Sequence, residues 1–263
     1  SLNPALDVTY KIQKLVDDEK IHSFETRFDP GGNGINVGRA FKRLKVKAAT
    51  CCVLAGKIGT LISDILRNEL DDPHFIWEEG ETRINCVIQQ SDPVSQYEIN
   101  GMGPAMSASV LDKLEKELYT YSKDGFAVLT GSPPLNITHE IYNILCSRLK
   151  NAGIKCLVDA DGALLNSAVK FISIGHKGAI LASKEGVFYG ASPEVPVVSR
   201  VGAGDSMVAG ILSVIANGGS AEDSLKLGIA CGTATVQMPG TELFTMDIVD
   251  NIIKDIHIEK INI

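Results

Sequence analysis

The stretch FAVLTGSPPLNITHEIYNILCSRLKNAGIKCLVDA, residues 126–160, decides the fold because it contains one complete strand–helix–strand pattern. FAVLTG and KCLVDA are short apolar strands. Between them, THEIYNILCSRLKNAG has helical periodicity, with Thr138 as the predicted N-terminal cap and Gly153 just past its end. Short joints on either side of a helix place its two strands parallel in one sheet. The stretch therefore predicts an α/β fold with a mostly parallel central sheet.

Segments of two kinds precede this unit. SASVLDKLEKELYTYSKDG carries Leu111, Leu114 and Leu118 on one stripe and predicts a helix, as do GINVGRAFKRLK and TLISDILRNEL. DVTYKIQKL, SFETRFDP, RINCVIQQ and SQYEIN show the alternation typical of strands with a polar face. These four strands do not fit the α/β rhythm. We assign them to a small β-sheet that acts as a lid, with strands roughly within residues 7–29 and 75–100.

The regular pattern breaks after Asp161. The segment DGALLNSAVKFISIG passes from one strand to the next with little helix between them. A right-handed crossover needs about a dozen or more residues. Either the topology changes here or residues are missing. We favour a missing segment between residues 162 and 170.

The composition of the chain limits its domain count and the classes of partner it can bind. The chain has 263 residues, 44% of them hydrophobic and 22% charged, which suits one large α/β domain over residues 1–263. A net charge of -7 gives no basic surplus for nucleic acid or an anionic membrane, so neither is expected as a partner. No apolar run approaches the roughly 20 residues of a membrane span, and no signal peptide is recognised.

The six cysteines form no CxxC pair or zinc spacing. They are predicted to be reduced core residues of a cytoplasmic protein. The chain begins at Ser1 without Met, directly in LNPALD, and we expect that an initial segment is missing.

The segment SRVGAGDSMVAGIL, residues 199–212, has the features of an anion site. Gly202, Ala203 and Gly204 would expose consecutive N–H donors at the start of a helix, where negative charge is stabilised. Asp205 follows in the first turn, where the helix dipole favours a carboxylate suited to accepting a proton. The alternative is a capping aspartate without a catalytic role.

Two other glycine-rich stretches are less specific. DPGGNGINVGRAFKRL is either a tight turn into a helix or a close approach of backbone to a ligand; its spacing does not match a dinucleotide fingerprint. FISIGHKGAIL is either a hairpin or a loop that supports a nucleotide. The P-loop motif GxxxxGK[ST] does not occur, and the five histidines form no metal or triad spacing.

Taken in order, NPALD, GGNGINV, TRIN, TGSPP, LVDADG, SIGHKG and VGAGDS resemble the ribokinase-like (PfkB) family of carbohydrate kinases. The resemblance implies a three-layer α/β sandwich with a mostly parallel central sheet and a small β-sheet lid. It also implies Mg²⁺-assisted transfer of the ATP γ-phosphoryl group to a sugar hydroxyl. NPALD and EINGMGP resemble the branch that acts on phosphorylated hexoses, which includes 6-phosphofructokinases, 1-phosphofructokinases and tagatose-6-phosphate kinases.

The resemblance also implies residue roles. Asp205 would be the catalytic base, and Gly202, Ala203 and Gly204 would stabilise charge on the transferred phosphoryl group. The residues implied to bind sugar hydroxyls are Asp7, Gly32 and Asn36, and those implied to bind the substrate's existing phosphate are Lys20, Arg83 and Ser132. The residues implied to form the ATP pocket are Ser173, Ile174, Gly175, His176, Lys177, Gly178, Val197, Ile229 and Thr233. Lys20 could instead be a solvated loop lysine, and Arg83 a sheet-surface arginine.

Two residues guide the choice of substrate. Asn33 stands where 1-phosphofructokinases and tagatose kinases usually carry lysine, and Lys20 stands where the ribokinase-like 6-phosphofructokinases use a lysine on the substrate's phosphate. Fructose 6-phosphate is therefore favoured, with fructose 1-phosphate and tagatose 6-phosphate as alternatives. The resemblance further implies a homodimer formed through the lid and a K⁺ site near residues 199–201.

One departure from the family matters. The family's Asn-x-x-Glu motif, which helps to place Mg²⁺ and phosphate, has no counterpart between Gly162 and Lys170, so the metal ligands are unknown. If the motif is absent from the protein, a catalytically silent sugar-phosphate or nucleotide-binding regulator becomes the rival interpretation.

Overall fold

The computed structural model describes residues 1–123, 125–159 and 170–261, and all structural statements concern these ranges. Their helices are α1 (Asn33–Arg43), α2 (Gly56–Glu69), α3 (Ala108–Tyr121), α4 (Glu140–Asn151), α5 (Ala203–Ala216), α6 (Ala221–Thr235) and α7 (Met246–Ile252). Their strands are β1 (Ala5–Ile12), β2 (Glu25–Gly31), β3 (Ala49–Ala55), β4 (Asp72–Glu78), β5 (Arg83–Ser91), β6 (Val94–Ile99), β7 (Phe126–Thr130), β8 (Lys155–Asp159), β9 (Lys170–Ser173), β10 (Ala179–Ser183), β11 (Gly186–Gly190) and β12 (Ile258–Ile261).

The predicted lid is a four-stranded sheet with the order β2-β1-β5-β6. β1 is antiparallel to β2 and parallel to β5, and β5 is antiparallel to β6. The register places Asp7 between Asp29 and Asn85. β4 extends into the range expected for the lid, but it pairs in parallel with β3 because α2 forms a crossover between these two strands.

The α/β part is parallel up to β8 and antiparallel after it. β3–β4 and β7–β8 are parallel pairs, joined through α2 and α4 as the pattern predicts. β9 to β12 form an antiparallel sheet with the order β12-β11-β10-β9. The turns from β9 to β10 and from β10 to β11 are only a few residues long, which is too short for a parallel crossover. The segment predicted to be missing lies outside the described residues.

The predicted cap of α3 is confirmed, whereas that of α4 is wrong. Ser107 caps α3 by accepting a hydrogen bond from the Val110 N–H, and Gly153 follows α4 with φ 79°. Thr138, the predicted cap of α4, is not the cap. Because α4 begins at Glu140, the cap position falls on His139, one residue after Thr138. The His139 side chain makes no capping hydrogen bond.

Buried side chains form three clusters. The largest packs α5 and α6 against β10 and β11, the second packs α3 and α4 against β3, β7 and β8, and the third joins α2 to β1 of the lid. α5 and α6 approach so closely that a Cβ atom at Gly210 would lie 2.9 Å from the Gly228 Cα. This contact fixes α5, and therefore the position of its first turn.

All six cysteines are free thiols, and all but Cys86 are buried. Burial raises the pKa of Cys51 to about 11 and that of Cys231 to about 12, so neither thiol is reactive at neutral pH. Among the helices that the structure describes, none is long and apolar enough to cross a membrane.

Candidate active site

The first turn of α5 begins after a glycine in the left-handed region and has open space beside it. Gly202 precedes the helix with φ 77°, in the left-handed region, and a Cβ atom there would lie 2.7 Å from the Leu243 side chain. Glycine meets both constraints. No heavy atom lies within 4 Å of a Cβ built on Gly204, so space is open beside this turn. The first N–H groups of a helix have no partner within the helix and can bind a ligand.

Asn36 and Asp205 meet directly beside this turn. The Asn36 Nδ2 donates a 2.8 Å hydrogen bond to the Asp205 Oδ2, and both residues are buried. The other amide atom, Asn36 Oδ1, is buried and has no hydrogen-bond partner. A buried acceptor without a partner is costly unless a ligand satisfies it. Asn36 reaches this place from the first turn of α1, which follows Gly32 at φ 119°.

Asp7 places a third polar group on the lid strand β1. Its Oδ1 accepts a 2.8 Å hydrogen bond from the Asn85 Nδ2, and a Cβ atom at Gly31 would overlap its carboxylate. Burial raises the pKa of Asp7 to about 6, against the opposing effects of the Asn85 hydrogen bond and the Arg83 charge. Gly31 therefore leaves room for the Asp7 carboxylate of the neighbouring strand, whereas the approach of this stretch to a ligand stays a prediction.

Of the three residues predicted to bind the substrate's phosphate, Arg83 is linked by hydrogen bonds to the segment next to Ser132. The Arg83 Nε donates to the Asn3 carbonyl oxygen at 3.1 Å, and the Asn3 Nδ2 donates to the Pro133 carbonyl oxygen at 3.4 Å. Asn3 therefore joins Arg83 to Pro133, the residue that follows the exposed Ser132. Burial lowers the pKa of the Arg83 guanidinium, although nearby Asp7 opposes the shift.

Lys20 is not fixed beside these residues. It lies exposed in the loop between β1 and β2, and within the described ranges no hydrogen bond or salt bridge holds its side chain. Asn33, which guided the choice of substrate, lies near the start of the Ser132 loop. A Cβ atom at Gly131 would be 3.5 Å from the Asn33 Oδ1.

The predicted ATP loop is the turn of the β9–β10 hairpin. The Ile174 N–H donates to the Gly178 carbonyl oxygen at 2.8 Å, and the Lys177 carbonyl oxygen accepts from the Tyr189 hydroxyl at 2.9 Å. Gly175 has φ 61°, with open space where its side chain would be. The residues of this turn that the structure leaves exposed are Ser173, Ile174, Gly175, His176 and Lys177.

The other three residues predicted to form the ATP pocket differ in exposure. Val197 is exposed, whereas Ile229 and Thr233 are buried on α6. Ile229 lies so close to Gly190 that a Cβ atom there would be 2.5 Å from the Ile229 Cδ1. It therefore supports the end of β11 from within the core rather than presenting a surface.

Sequence reasoning missed a polar link between the lid and the α/β part. The Arg27 Nε donates to both carboxylate oxygens of Asp29, at 2.9 and 2.7 Å, and its Nη1 lies 3.4 Å from the Glu242 Oε2. The loop that carries Glu242 also contains Leu243, which packs on Gly202. The alternating charges of ETRFD mark a polar strand face, but nothing in the sequence indicates Glu242 as a partner.

The described residues offer no ready-made metal site. Among them, no group of three or more histidine, cysteine or acidic side chains could hold an ion. Near residues 199–201, the Ser199 hydroxyl donates to the Gly240 carbonyl oxygen at 2.7 Å and accepts from the Val201 N–H at 3.3 Å. This hydroxyl therefore stabilises the loop before α5.

Comparison with known proteins identifies the family. The model of the "pfkB family carbohydrate kinase" matches residues 2–170 and again residues 163–247. The chain belongs to the pfkB family. The 1-phosphofructokinase of Bacillus subtilis is 27% identical over 297 aligned positions, covering 96% of this chain and 97% of that protein. The ATP-dependent 6-phosphofructokinase isozyme 2 of Escherichia coli is 25% identical and is covered over 94% of both chains.

Similarity to a solved structure confirms the predicted ribokinase-like α/β fold with a small β-sheet lid. Phosphofructokinase-2 from E. coli, solved in complex with substrates and products, superposes with a TM-score of 0.89 at 24% identity over 97% of both chains. The alignment with the B. subtilis relative spans 297 positions, more than the 263 residues of this chain, so that relative carries residues without a counterpart here.

The elevated pKa of Asp7 predicts a pH-dependent stability. The folded state keeps the Asp7 proton up to about pH 6, whereas an unfolded aspartate loses it near its ordinary value of 3.8. The protonated Asp7 therefore contributes about 3 kcal/mol to the free energy of unfolding below about pH 4, and this contribution is lost as pH rises through 6. Asp7→Asn should remove this pH dependence from the free energy of unfolding measured in urea between pH 4 and 7. Asp17→Asn, in an exposed loop, should retain it; equal slopes for all three proteins would contradict the burial argument.

Proposed function

We propose that this pfkB-family chain transfers the γ-phosphoryl group of ATP to fructose 6-phosphate, giving fructose 1,6-bisphosphate. The observation that supports this proposal best is the buried 2.8 Å contact between Asn36 and Asp205 beside the open first turn of α5. A carboxylate and an array of N–H donors then face the same space. This is what transfer of a phosphoryl group to a hydroxyl requires.

The proposed chemistry follows from these groups. Asp205 accepts the proton of the acceptor hydroxyl as that oxygen bonds to the γ-phosphorus of ATP and ADP leaves. The amides of Gly202, Ala203 and Gly204 stabilise the charge on the transferred group. Asn36, through its unpartnered Oδ1, and Asp7 accept hydrogen bonds from sugar hydroxyls and orient the acceptor. Gly32 lets the backbone approach the sugar.

The choice of phosphohexose rests on few residues. Arg83 and Ser132 are proposed to bind the existing phosphate together with Lys20, which would have to move from its exposed loop. Asn3 links Arg83 to Pro133, next to Ser132. Lys20 and the absence of lysine at position 33 favour fructose 6-phosphate. Fructose 1-phosphate and tagatose 6-phosphate remain the alternatives, and the similarity to the 1-phosphofructokinase of B. subtilis supports the first of them.

ATP would bind along the β9–β10 turn, with its phosphates directed toward α5. The open turn at Gly175 and the exposed residues 173–177 leave room for a nucleotide, and Val197 is accessible. Mg²⁺ remains a prediction of the family resemblance. Among the described residues, no group of three or more histidine, cysteine or acidic side chains could hold it. A K⁺ ion near residues 199–201 is likewise proposed; E. coli phosphofructokinase-2 has been solved with potassium.

The rival proposal is a silent binder of sugar phosphates or nucleotides. The family model matches in two parts that overlap at residues 163–170, and the sequence has no Asn-x-x-Glu motif there. A regulator could lack that motif. The retention of Asp205, Asn36 and the anion-binding turn favours the enzyme, because binding alone does not need a base.

We propose that one kinase domain spans residues 1–263, that it acts in the cytoplasm, and that two copies associate through their lids. Cross-strand partners place Phe28, Ile84, Tyr97 and Ile99 on one face of the lid, and all four are exposed. Apolar side chains grouped in this way favour an interface. E. coli phosphofructokinase-2 has been solved in a tetrameric form.

Asp205→Asn should lower kcat for fructose 6-phosphate by about 10²–10⁴-fold, because the amide cannot accept the hydroxyl proton. The KM should change little, since the amide keeps the size of the side chain. Coupled ADP release measures both constants. A variant with wild-type kcat would remove Asp205 from the role of base and leave the regulator as the better proposal.

Lys20→Ala should raise the KM for fructose 6-phosphate by about tenfold or more, since a charge-assisted hydrogen bond to phosphate contributes about 1.5–3 kcal/mol. The matched control is Lys14→Ala, which removes another exposed lysine from the same loop. Initial rates over a range of fructose 6-phosphate concentrations test both variants. Equal KM values for the two would argue against fructose 6-phosphate as the substrate.

Ile99→Lys should convert the proposed dimer to monomer, because it places a charge in the apolar face of the lid. Val94→Lys is the control: it adds the same charge to the same strand, but strand alternation puts Val94 on the opposite face. Sedimentation equilibrium gives the mass of each variant. A dimer that survives Ile99→Lys would place the interface elsewhere.

A further inference from the structure

One face of α1 contacts both the site around Asp205 and a distant loop. Asn36, Arg39 and Arg43 follow one another at spacings of three and four residues, which places them on one face of the helix. The Asn36 Nδ2 bonds to Asp205. Arg39 and Arg43 bond to residues 241–244, which we call the α7 loop because they precede that helix. The same face of α1 therefore links the α7 loop to the proposed site.

Two charge-assisted hydrogen bonds hold the α7 loop to α1. The Arg39 Nη1 donates to the Thr241 carbonyl oxygen at 3.1 Å, and the Arg43 Nη1 donates to the Phe244 carbonyl oxygen at 2.6 Å. A guanidinium is a strong donor because it stays charged in a protein interior. The two bonded carbonyls lie on either side of Leu243 in the chain, so the position of Leu243 relative to α1 is fixed from both directions.

Leu243 connects the α7 loop to the first turn of α5. Its side chain is fully buried, and a Cβ atom at Gly202 would lie 2.7 Å from the Leu243 Cδ2. The same Cβ atom would lie 3.6 Å from the Asn36 Nδ2. Gly202 therefore packs against both Leu243 and Asn36. Because packed interiors leave little free space, the N–H groups that follow Gly202 take their position from the α7 loop.

A second path joins the α7 loop to the residue after Asp205. The Phe244 N–H donates to the Thr235 Oγ1 at 3.3 Å, and the Thr235 Oγ1 donates to the Ser206 Oγ at 2.8 Å. Phe244, Thr235 and Ser206 are all fully buried, so water does not compete for these bonds. The α7 loop therefore acts on α5 on both sides of Asp205, at Gly202 and at Ser206.

We propose that Arg39 and Arg43 are positioning residues for phosphoryl transfer: they hold the α7 loop where it fixes the first turn of α5 relative to the acceptor hydroxyl. This inference rests on the proposed function. The arginines are assigned no contact with substrate, because both bond to backbone carbonyls and Arg39 also pairs with Glu69 at 2.7 Å. Their removal should therefore lower kcat rather than sugar binding, since only the transition state needs the N–H groups of α5 exactly placed.

The test uses Arg43, because Arg39 is more deeply buried and its removal would leave Glu69 without its cation. Arg43→Met should lower kcat for fructose 6-phosphate by about 10- to 100-fold, as a misplacement of about 1 Å does, and should change the KM by less than about twofold. Lys42→Met is the matched control. Lys42 also bonds to backbone carbonyls, but to those at the end of α2, so its loss should leave kcat unchanged. Equal kcat values for the two variants would overturn the inference.

Hydrogen exchange tests the positioning separately from the activity. The Ser206 N–H donates to the Gly202 carbonyl oxygen at 2.9 Å, so its exchange rate reports on the first turn of α5. This rate should rise at least about tenfold in Arg43→Met and stay at the wild-type value in Lys42→Met. A Ser206 rate that is the same in both variants would contradict the inference.

Failure of this inference can be distinguished from failure of the proposed function. A wild-type chain that turns over none of the three phosphohexoses contradicts the proposed function, and exchange at Ser206 then decides whether Arg43 positions the turn. An active chain whose kcat does not depend on Arg43 keeps the function and contradicts the inference. Should Arg43→Met not fold, Arg43→Gln and Lys42→Gln replace the two variants, with the same expected results.

Discussion

The hydrogen bond between Asn36 and Asp205 is the constraint on which the site depends. It joins the first turns of α1 and α5, which are separated by 169 positions in sequence. Both turns need glycine because Gly32 and Gly202 have positive φ, and a side chain at Gly202 would also collide with Leu243. Both groups can be buried because the amide N–H donates to the carboxylate. The Asn36 Oδ1 has no partner and can accept a hydrogen bond from a ligand.

The lid contributes to the site through polar contacts of its own. Asp7 lies on β1 with its carboxylate against Gly31, and burial raises its pKa to about 6. Arg27 connects β2 to Glu242, whose loop packs on the first turn of α5. One face of the lid therefore carries these polar side chains, and the apolar side chains Phe28, Ile84, Tyr97 and Ile99 are exposed on the other, which is the proposed interface. One sheet can serve both purposes because side chains alternate along each strand.

The sequence predicted most of the elements because their signals are local. Helical stripes, the Ser107 cap and the glycine after α4 act within one or two turns, and the order of motifs identified the family. What it could not predict depends on distant contacts. The Arg27–Glu242 pair joins two segments that lie far apart in the chain. β9, β10 and β11 pair antiparallel because short turns connect them. From the sequence, the first of these turns could be either a hairpin or a nucleotide-binding loop.

The central claim is that this site transfers a phosphoryl group to a phosphorylated hexose. Mass analysis of products from ATP with fructose 6-phosphate, fructose 1-phosphate or tagatose 6-phosphate tests it most directly. The geometry around Asp205 predicts a hexose bisphosphate and an equal amount of ADP, formed fastest from fructose 6-phosphate. Binding of all three sugars without any bisphosphate would contradict the claim and identify the protein as a binder.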